Sequence, residues 1–101
     1  MGYVVTAKWT AKEGEEEKVY EAIRQLLEPS RAEPGNRFYQ PNRDPEDPRV
    51  FFFYEIYDDE DGYKAHGESD YFQRSRFSSS GIADLVRSTC RDCLVQPVAT
   101  V

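Results

Sequence analysis

The sequence is poor in metal-binding side chains and in basic charge. Its 101 residues include one histidine and two cysteines, fewer ligands than the four of a typical structural zinc site. With 13 basic against 19 acidic side chains, the net charge of −6 argues against nucleic-acid binding, which needs clustered lysine and arginine. No stretch approaches the roughly 20 apolar residues of a membrane span. We therefore expect a cytoplasmic protein with no metal, nucleic acid or membrane as a partner.

The two cysteines form a C-x-x-C motif at Cys90 and Cys93. A thioredoxin-like motif opens a helix after a strand, whereas this one precedes the last predicted strand. We interpret the pair as two reduced thiols, with a redox function as the alternative. A glycine-rich phosphate loop after a strand is also missing from the sequence. The sequence thus predicts a protein without metal, flavin or other cofactor.

Aromatic side chains are abundant, with seven Tyr, six Phe and one Trp. They are densest in Val50–Tyr57 (VFFFYEIY), a run of aromatic and β-branched residues typical of a strand. Apolar residues fall on both of its faces: Val50, Phe52, Tyr54 and Ile56 on one, and Phe51, Phe53 and Tyr57 on the other. A strand that is apolar on both faces is a central strand covered on both sides.

The rest of the chain predicts the element order β-α-β-β-α-β. The predicted elements are a strand at Tyr3–Trp9, an amphipathic helix with apolar residues from Val19 to Leu27, an edge strand at Asn36–Asn42, the central strand, helical segments around His66 and at Ile82–Val86, and a last strand at Cys93–Val101. This is the order of a ferredoxin-like α+β fold, in which helices cover one face of a four-stranded antiparallel sheet. Residues 1–101 have room for a single such domain.

The other face of this sheet has no cover within one chain. Two helical segments can pack on one face only, yet Val50–Tyr57 is apolar on both. An exposed apolar surface of that size would promote aggregation. We therefore expect a homodimer in which two sheets pack together with twofold symmetry, over an interface on the order of 2,000 Å² or more.

The single histidine, His66, lies on the short predicted helix directly after the central strand. Tyr63 precedes it by three residues and shares its helix face. An imidazole with an ordinary pKa of about 6.5 accepts a proton near neutral pH, so His66 is the candidate general base. The alternative is a structural histidine that hydrogen bonds the loop at 67–69. The candidate walls of a substrate pocket are Trp9, Tyr39, Tyr54, Tyr63 and Phe72, although aromatic residues in such places more often belong simply to the core.

Glu55 is the one charged residue in the central strand. Burial raises the pKa of a carboxyl unless a cation pairs with it. Lys8, on the neighbouring first strand, is the expected partner. We interpret the two as a structural ion pair at the dimer interface.

Several short motifs follow one another along most of the chain. They are the turn RAEPG at Arg31–Gly35 before a strand with Tyr39, a strand with Glu55 near its end, D-x-x-x-Y-x-A-H at Asp59–His66, and SDYF at Ser69–Phe72. Together they resemble the antibiotic biosynthesis monooxygenase (ABM) domain family of the dimeric α+β barrel superfamily, over residues 3 to 98. The resemblance implies a homodimer with one pocket per protomer between sheet and helices. It also implies cofactor-free oxidation of a quinol or polyketide-like aromatic molecule by O2.

The sequence departs from two patterns within this family. The haem-degrading branch uses an Asn on the first strand, a Trp on the helix and a later His, where this chain has Ala7, His66 and Arg76. The resemblance therefore does not imply haem degradation. Many relatives have a second histidine shortly after the first, at the position of Asp70. A mechanism that needs two imidazoles is not implied either.

Two functions are consistent with these residues. In the first, the protein is a small cofactor-independent monooxygenase: His66 removes a phenolic proton, the anion gives an electron to O2, and an apolar pocket shields the radical pair from water. In the second, the same fold is a non-catalytic ligand-binding or interaction module. A proton-transfer isomerase lies between them. Oxygen uptake with quinols, without metal or flavin, would distinguish these functions.

Overall fold

The structure is a computed structural model that describes residues 2–79 and 83–93, with the backbone alone for residues 75–79, 92 and 93. Its elements are β1 (Gly2–Ala11), α1 (Glu16–Arg31), β2 (Asn36–Arg43), β3 (Val50–Tyr57), α2 (Glu60–Glu68), α3 (Asp70–Ser79) and β4 (Ala83–Cys93). The four strands form one antiparallel sheet in the order β2-β3-β1-β4. The predicted ferredoxin-like α+β fold, with helices on one face of the sheet, is confirmed.

Strand β3 lies between β2 and β1, as its two apolar faces predict. Directly paired residues of antiparallel strands lie on the same face of the sheet. The register pairs Trp9 with Phe51 and Ala7 with Phe53, so these four side chains share the inner face. All four are buried beneath the helices. The central strand therefore supplies the floor of the core.

Helix α1 packs an apolar stripe on this inner face. Val19, Ile23 and Leu26 recur at helical spacing and are at most 4% exposed. Acidic residues in its first turn and Arg31 in its last turn complement the helix dipole. Among residues 2–79 and 83–93, no helix is long and apolar enough to cross a membrane.

Helix α2 begins where the acidic residues after β3 predict a helix start. The Asp59 side chain caps the helix by accepting a hydrogen bond from the Gly62 backbone N–H at 2.9 Å. Gly62 lies against the turn between α1 and β2, where a Cβ on Gly35 would lie 3.0 Å from the Gly62 Cα. Glycine at both positions lets the two backbones approach closely. This contact brings the start of α2 next to the turn that follows α1.

Strand β4 lies earlier in the chain than predicted. Leu85 pairs with Trp9 of β1, so the expected helical patch at Ile82–Val86 is wrong for its described residues. A few closely spaced apolar residues fit the periodicity of a helix as well as that of a strand. Their spacing therefore did not distinguish the two, and the helix prediction was wrong. The strand predicted at Cys93–Val101 overlaps β4 at Cys93 only, and residues 94–101 lie outside the described residues.

The cysteine motif lies in β4 rather than before the last strand. Cys90 is disulfide-bonded, so its interpretation as a reduced thiol is wrong. The side chain of Cys93 lies outside the described side chains.

The outer face of the sheet exposes large apolar side chains. Phe52 and Tyr54 of β3 are 44% and 43% exposed, and Val86 of β4 is 67% exposed. Phe38 of β2 lies edge-on to Tyr54, with ring centroids 5.9 Å apart. The described helices pack on the opposite face, so this apolar surface has no cover within the described part of the chain.

We propose that a second copy of the chain covers this outer face. Sedimentation equilibrium at micromolar concentration should give twice the chain mass. Phe52→Asp should shift the protein towards monomer, because a charge buried at the interface is left without a partner. Lys18→Asp, a charge change on the solvent side of α1, is the matched control and should leave the mass unchanged. A monomeric mass for the unmodified protein would contradict the dimer.

Candidate active site

A cavity of about 120 Å³ lies between the inner face of the sheet and helix α2. Its wall is aromatic, with Trp9, Tyr39, Phe53 and Phe72 among the lining residues. The polar side chains that line it include Glu55 from β3, His66 from α2 and Arg87 from β4. An apolar cavity with a few converging polar groups is the usual form of a small-molecule site.

The structure brings five of the six predicted site residues together at this cavity. They are Trp9, Tyr39, Tyr63, His66 and Phe72. Tyr54 is not among them, because it pairs with Thr6 in the register and lies on the outer face of the sheet. Tyr54 is therefore left out of the candidate site.

His66 is 2% exposed and is held by a carboxylate. Its Nδ1 lies 3.1 and 3.2 Å from the two carboxylate oxygens of Glu33. Because an ionised carboxylate only accepts hydrogen bonds, Nδ1–H is the donor in a neutral imidazole. The other ring nitrogen, Nε2, then carries the lone pair. In this tautomer the imidazole can accept a proton at Nε2.

The alternative prediction was a structural histidine that hydrogen bonds the loop at 67–69. The ring instead contacts Glu33. The contact to that loop is made by the backbone instead, since the His66 carbonyl accepts hydrogen bonds from the Ser69 Oγ at 2.7 Å and from its N–H at 3.2 Å. The ring packs among aromatic side chains, with centroid distances of 4.8 Å to Phe72 and 5.6 Å to both Tyr39 and Tyr57.

Glu33 is a site residue that sequence reasoning did not identify. It lies in the turn after α1, and its side chain is 14% exposed. Besides His66 it binds Tyr71, whose hydroxyl donates a hydrogen bond to it. Burial and this hydrogen bond raise the pKa of Tyr71 to about 12, so the phenol remains a donor at neutral pH. The sequence signal was an acidic residue before the Pro34-Gly35 turn, but its partner lies 33 residues away.

Glu55 lies in the cavity rather than at the outer face. The expected ion pair with Lys8 is wrong, because Lys8 pairs with Phe52 and faces outwards, whereas Glu55 pairs with Val5. Side chains alternate along a strand, and Phe52 lies three positions before Glu55, so Lys8 and Glu55 lie on opposite faces of the sheet. Glu55 is 6% exposed and its Oε1 accepts a hydrogen bond from the Tyr57 hydroxyl at 2.6 Å.

Burial favours the protonated form of Glu55 and of two nearby tyrosines. Burial is the largest influence and raises the pKa of Glu55, and it outweighs the Tyr57 hydrogen bond and the positive charges of His66 and Arg87. Burial and the charge of Glu55 also raise the pKa of Tyr39 and of Tyr57. The two phenols therefore act as hydrogen-bond donors and not as bases.

The titratable side chains of the cavity offer acid–base chemistry. Among the described residues, no group of three or more His, Cys, Asp or Glu side chains is placed to hold a metal ion. At the rim, the Arg87 guanidinium lies 6.0 Å from the centroid of Tyr63, whose ring stacks on Tyr3. Burial raises the pKa of Tyr63 more than the charge of Arg87 lowers it.

Comparison with known proteins gives one family. The family model described as antibiotic biosynthesis monooxygenase matches residues 2–76. A solved protein of Nitrosomonas europaea named after the same family is 26% identical, with a TM-score of 0.83 over 93% of this chain and 99% of that one. A Pseudomonas aeruginosa protein is 23% identical (TM-score 0.86, 92% of this chain and 95% of that one). No curated protein matches the sequence.

A protein of Mycobacterium tuberculosis shows how far the fold extends beyond sequence similarity. It is 14% identical, yet the TM-score is 0.86 over 98% of this chain and 100% of that one. At such identity the likeness concerns the fold alone. The family-model match is the more informative finding for the site, because residues 2–76 include Glu33, Glu55 and His66.

Glu55→Gln should change how the stability of the protein depends on pH. Because the pKa of Glu55 is raised in the folded state, the folded protein holds this proton more tightly than the unfolded chain. The stabilisation that protonated Glu55 gives the folded protein is present at acidic pH. It is lost as pH rises from the pKa of Glu55 in the unfolded chain through its higher pKa in the folded protein. Relative to the unmodified protein, Glu55→Gln should therefore become more stable as pH rises from 4 to 8.

Urea unfolding of both proteins across this pH range measures the effect. Glu68→Gln, a change at an exposed carboxylate of α2, is the matched control and should run parallel to the unmodified protein. A pH-independent difference between Glu55→Gln and the unmodified protein would contradict a raised pKa of Glu55.

Proposed function

The chain belongs to the antibiotic biosynthesis monooxygenase family, and we propose that it is a small monooxygenase that oxidises an electron-rich aromatic alcohol with O2 and no cofactor. The observation that carries the proposal is the hydrogen bond between the partly buried Glu33 and the buried His66 at the aromatic cavity. A base oriented by a carboxylate is the arrangement that ionises weakly acidic hydroxyl groups.

The first step of the proposed reaction is removal of a phenolic proton by His66 Nε2. A phenol has a pKa of about 10, so its ionisation at neutral pH needs a positioned acceptor. Once His66 is protonated, the Glu33 carboxylate stabilises the imidazolium through the Nδ1 hydrogen bond. The phenolate is held next to the aromatic wall in a site with little water.

The second step is electron transfer from the phenolate to O2. The aromatic radical and superoxide combine to form a carbon–oxygen bond, and protonated His66 returns its proton to the resulting peroxide. Loss of water from the peroxide gives a carbonyl. For 1,4-dihydroxynaphthalene the balance is C10H8O2 + O2 giving C10H6O3, which is 2-hydroxy-1,4-naphthoquinone, and H2O. The substrate supplies all the electrons, so the balance requires no further reductant.

The apolar wall has a function in this scheme beyond holding the ring. Trp9 and Phe53 lie with ring centroids 4.9 Å apart, and both are at most 4% exposed. Such a wall excludes water, which would otherwise protonate superoxide before it recombines. It also strengthens the electrostatic interaction between the imidazolium and Glu33.

A proton-transfer isomerase is the second candidate, because two titratable groups, His66 and Glu55, line one cavity. An isomerase moves a proton between two atoms of one substrate and consumes no oxygen. Oxygen uptake therefore separates the two functions directly.

His66→Ala should abolish most of the oxygen uptake with 1,4-dihydroxynaphthalene. Loss of a general base costs roughly 10²–10⁴-fold in rate. The measurement is uptake at an oxygen electrode, with metal and flavin absent and the spontaneous oxidation of the quinol subtracted. We expect the variant to fold, because Ala is well tolerated in a short helix. Circular dichroism checks this expectation.

Two further variants make the result specific. Glu33→Gln keeps a hydrogen-bond acceptor for His66 but removes the charge, so it should lower the rate less than His66→Ala does. Asp70→Asn changes an exposed carboxylate at the start of α3 and should have no effect. Near-full activity in His66→Ala would rule out the general-base function, and unfolding of that variant would favour a structural histidine.

A further inference from the structure

Glu55 is a buried titratable group that the first step does not use. It lies at the centre of the sheet, paired with Val5 on one side and Tyr39 on the other. Among the cavity-lining residues it is the one that carries a carboxyl group. Its position on β3, between neighbouring strands, makes it part of the rigid floor of the site.

The environment of Glu55 leaves the carboxyl with few partners. Its hydrogen bond comes from the Tyr57 hydroxyl, and no Lys or Arg forms an ion pair with it among the described side chains. The charged groups that face it are His66, Arg87 and Glu33, which act at longer range. A buried carboxyl without an ion pair favours its neutral form and can then donate a hydrogen bond.

The loss of water from the peroxide needs two groups at once. A base must remove the proton from the carbon that bears the peroxide, and an acid must supply a proton to the oxygen that leaves. His66 has returned its proton to the peroxide by this stage and is free to act as the base. One imidazole cannot serve as base and acid in the same step.

Asp70 does not supply this second group, because its side chain is exposed at the start of α3 and does not line the cavity. Glu55 does line it, together with His66. Tyr57 contacts both residues, since its hydroxyl binds Glu55 and its ring lies 5.6 Å from the imidazole. The two groups are thus held around one aromatic side chain.

We propose that Glu55 is the acid of the water-loss step and protonates the hydroxide that leaves the peroxide. His66 takes the proton from carbon, and the C–H electron pair forms the carbonyl. The O–O bond breaks with its electron pair on the outer oxygen, which takes the proton of Glu55 and leaves as water. The proton on His66 then returns to the Glu55 carboxylate after product release. This inference rests on the proposed monooxygenase function.

The test compares the products of Glu55→Gln with those of the unmodified protein. The amide oxygen of Gln still accepts the Tyr57 hydrogen bond but the side chain cannot supply the proton. With 1,4-dihydroxynaphthalene, the variant should keep oxygen uptake, which depends on His66. Formation of 2-hydroxy-1,4-naphthoquinone should fall roughly 10²-fold or more. Without the acid, the peroxide breaks its C–O bond instead and releases 1,4-naphthoquinone and H2O2.

Asp70→Asn is the matched control, because it neutralises an exposed carboxylate that does not line the cavity. It should continue to form the hydroxyquinone and water. An unchanged product ratio in Glu55→Gln, with the unmodified protein active, would overturn the acid function while leaving the proposed monooxygenase intact. Oxygen uptake by the unmodified protein no faster than the background would instead overturn the monooxygenase, and the acid function with it.

A second measurement requires no turnover. In protein labelled with ¹³C at the glutamate carboxyl carbons, the signal missing from Glu55→Gln identifies Glu55. Its titration midpoint should lie above those of the exposed glutamates of the same protein. A midpoint at or below theirs would overturn the acid function, because the group would then hold no proton to donate at neutral pH.

Discussion

The hydrogen bond from His66 Nδ1–H to the Glu33 carboxylate joins two segments that the sequence separates by 33 residues. It determines which imidazole nitrogen carries a proton and therefore which one can accept a proton. The close approach of Gly35 and Gly62 makes this contact possible, since it places the turn after α1 against the start of α2. A larger side chain at either glycine would push the turn and the helix apart and weaken the hydrogen bond between Glu33 and His66.

The rest of the site depends on the alternation of side chains along β3. Residues that face inwards, among them Phe53, Glu55 and Tyr57, meet the helices, whereas Phe52 and Tyr54 face outwards. A single strand thereby supplies an acidic group to the cavity and an apolar surface to the opposite face. The inner face explains the proposed chemistry, and the outer face explains why we propose a second copy of the chain. Both follow from one run of eight residues.

Much of the fold could be predicted from local patterns, and the site only in part. The order of the first elements, the central position of β3 and the place of His66 follow from hydrophobic periodicity and helix capping. Glu33 could not be found this way, because its function arises from a tertiary contact. The pairing of Lys8 with Glu55 was wrong because sequence alone does not determine strand register, and a shift of one residue reverses the face. The sequence prediction placed the last strand too late in the chain, because a few apolar residues fit the periodicity of either a helix or a strand.

The tautomer of His66 is the property on which the proposed chemistry most directly depends. The chain has one histidine, so a ¹⁵N spectrum of the imidazole contains the signals of one ring. In a neutral imidazole one of the two ring nitrogens is protonated. The geometry gives a protonated Nδ1 and an unprotonated Nε2, and Glu33→Gln should reduce that preference. A proton found on Nε2 in the unmodified protein would contradict the assignment of His66 as the base at the cavity.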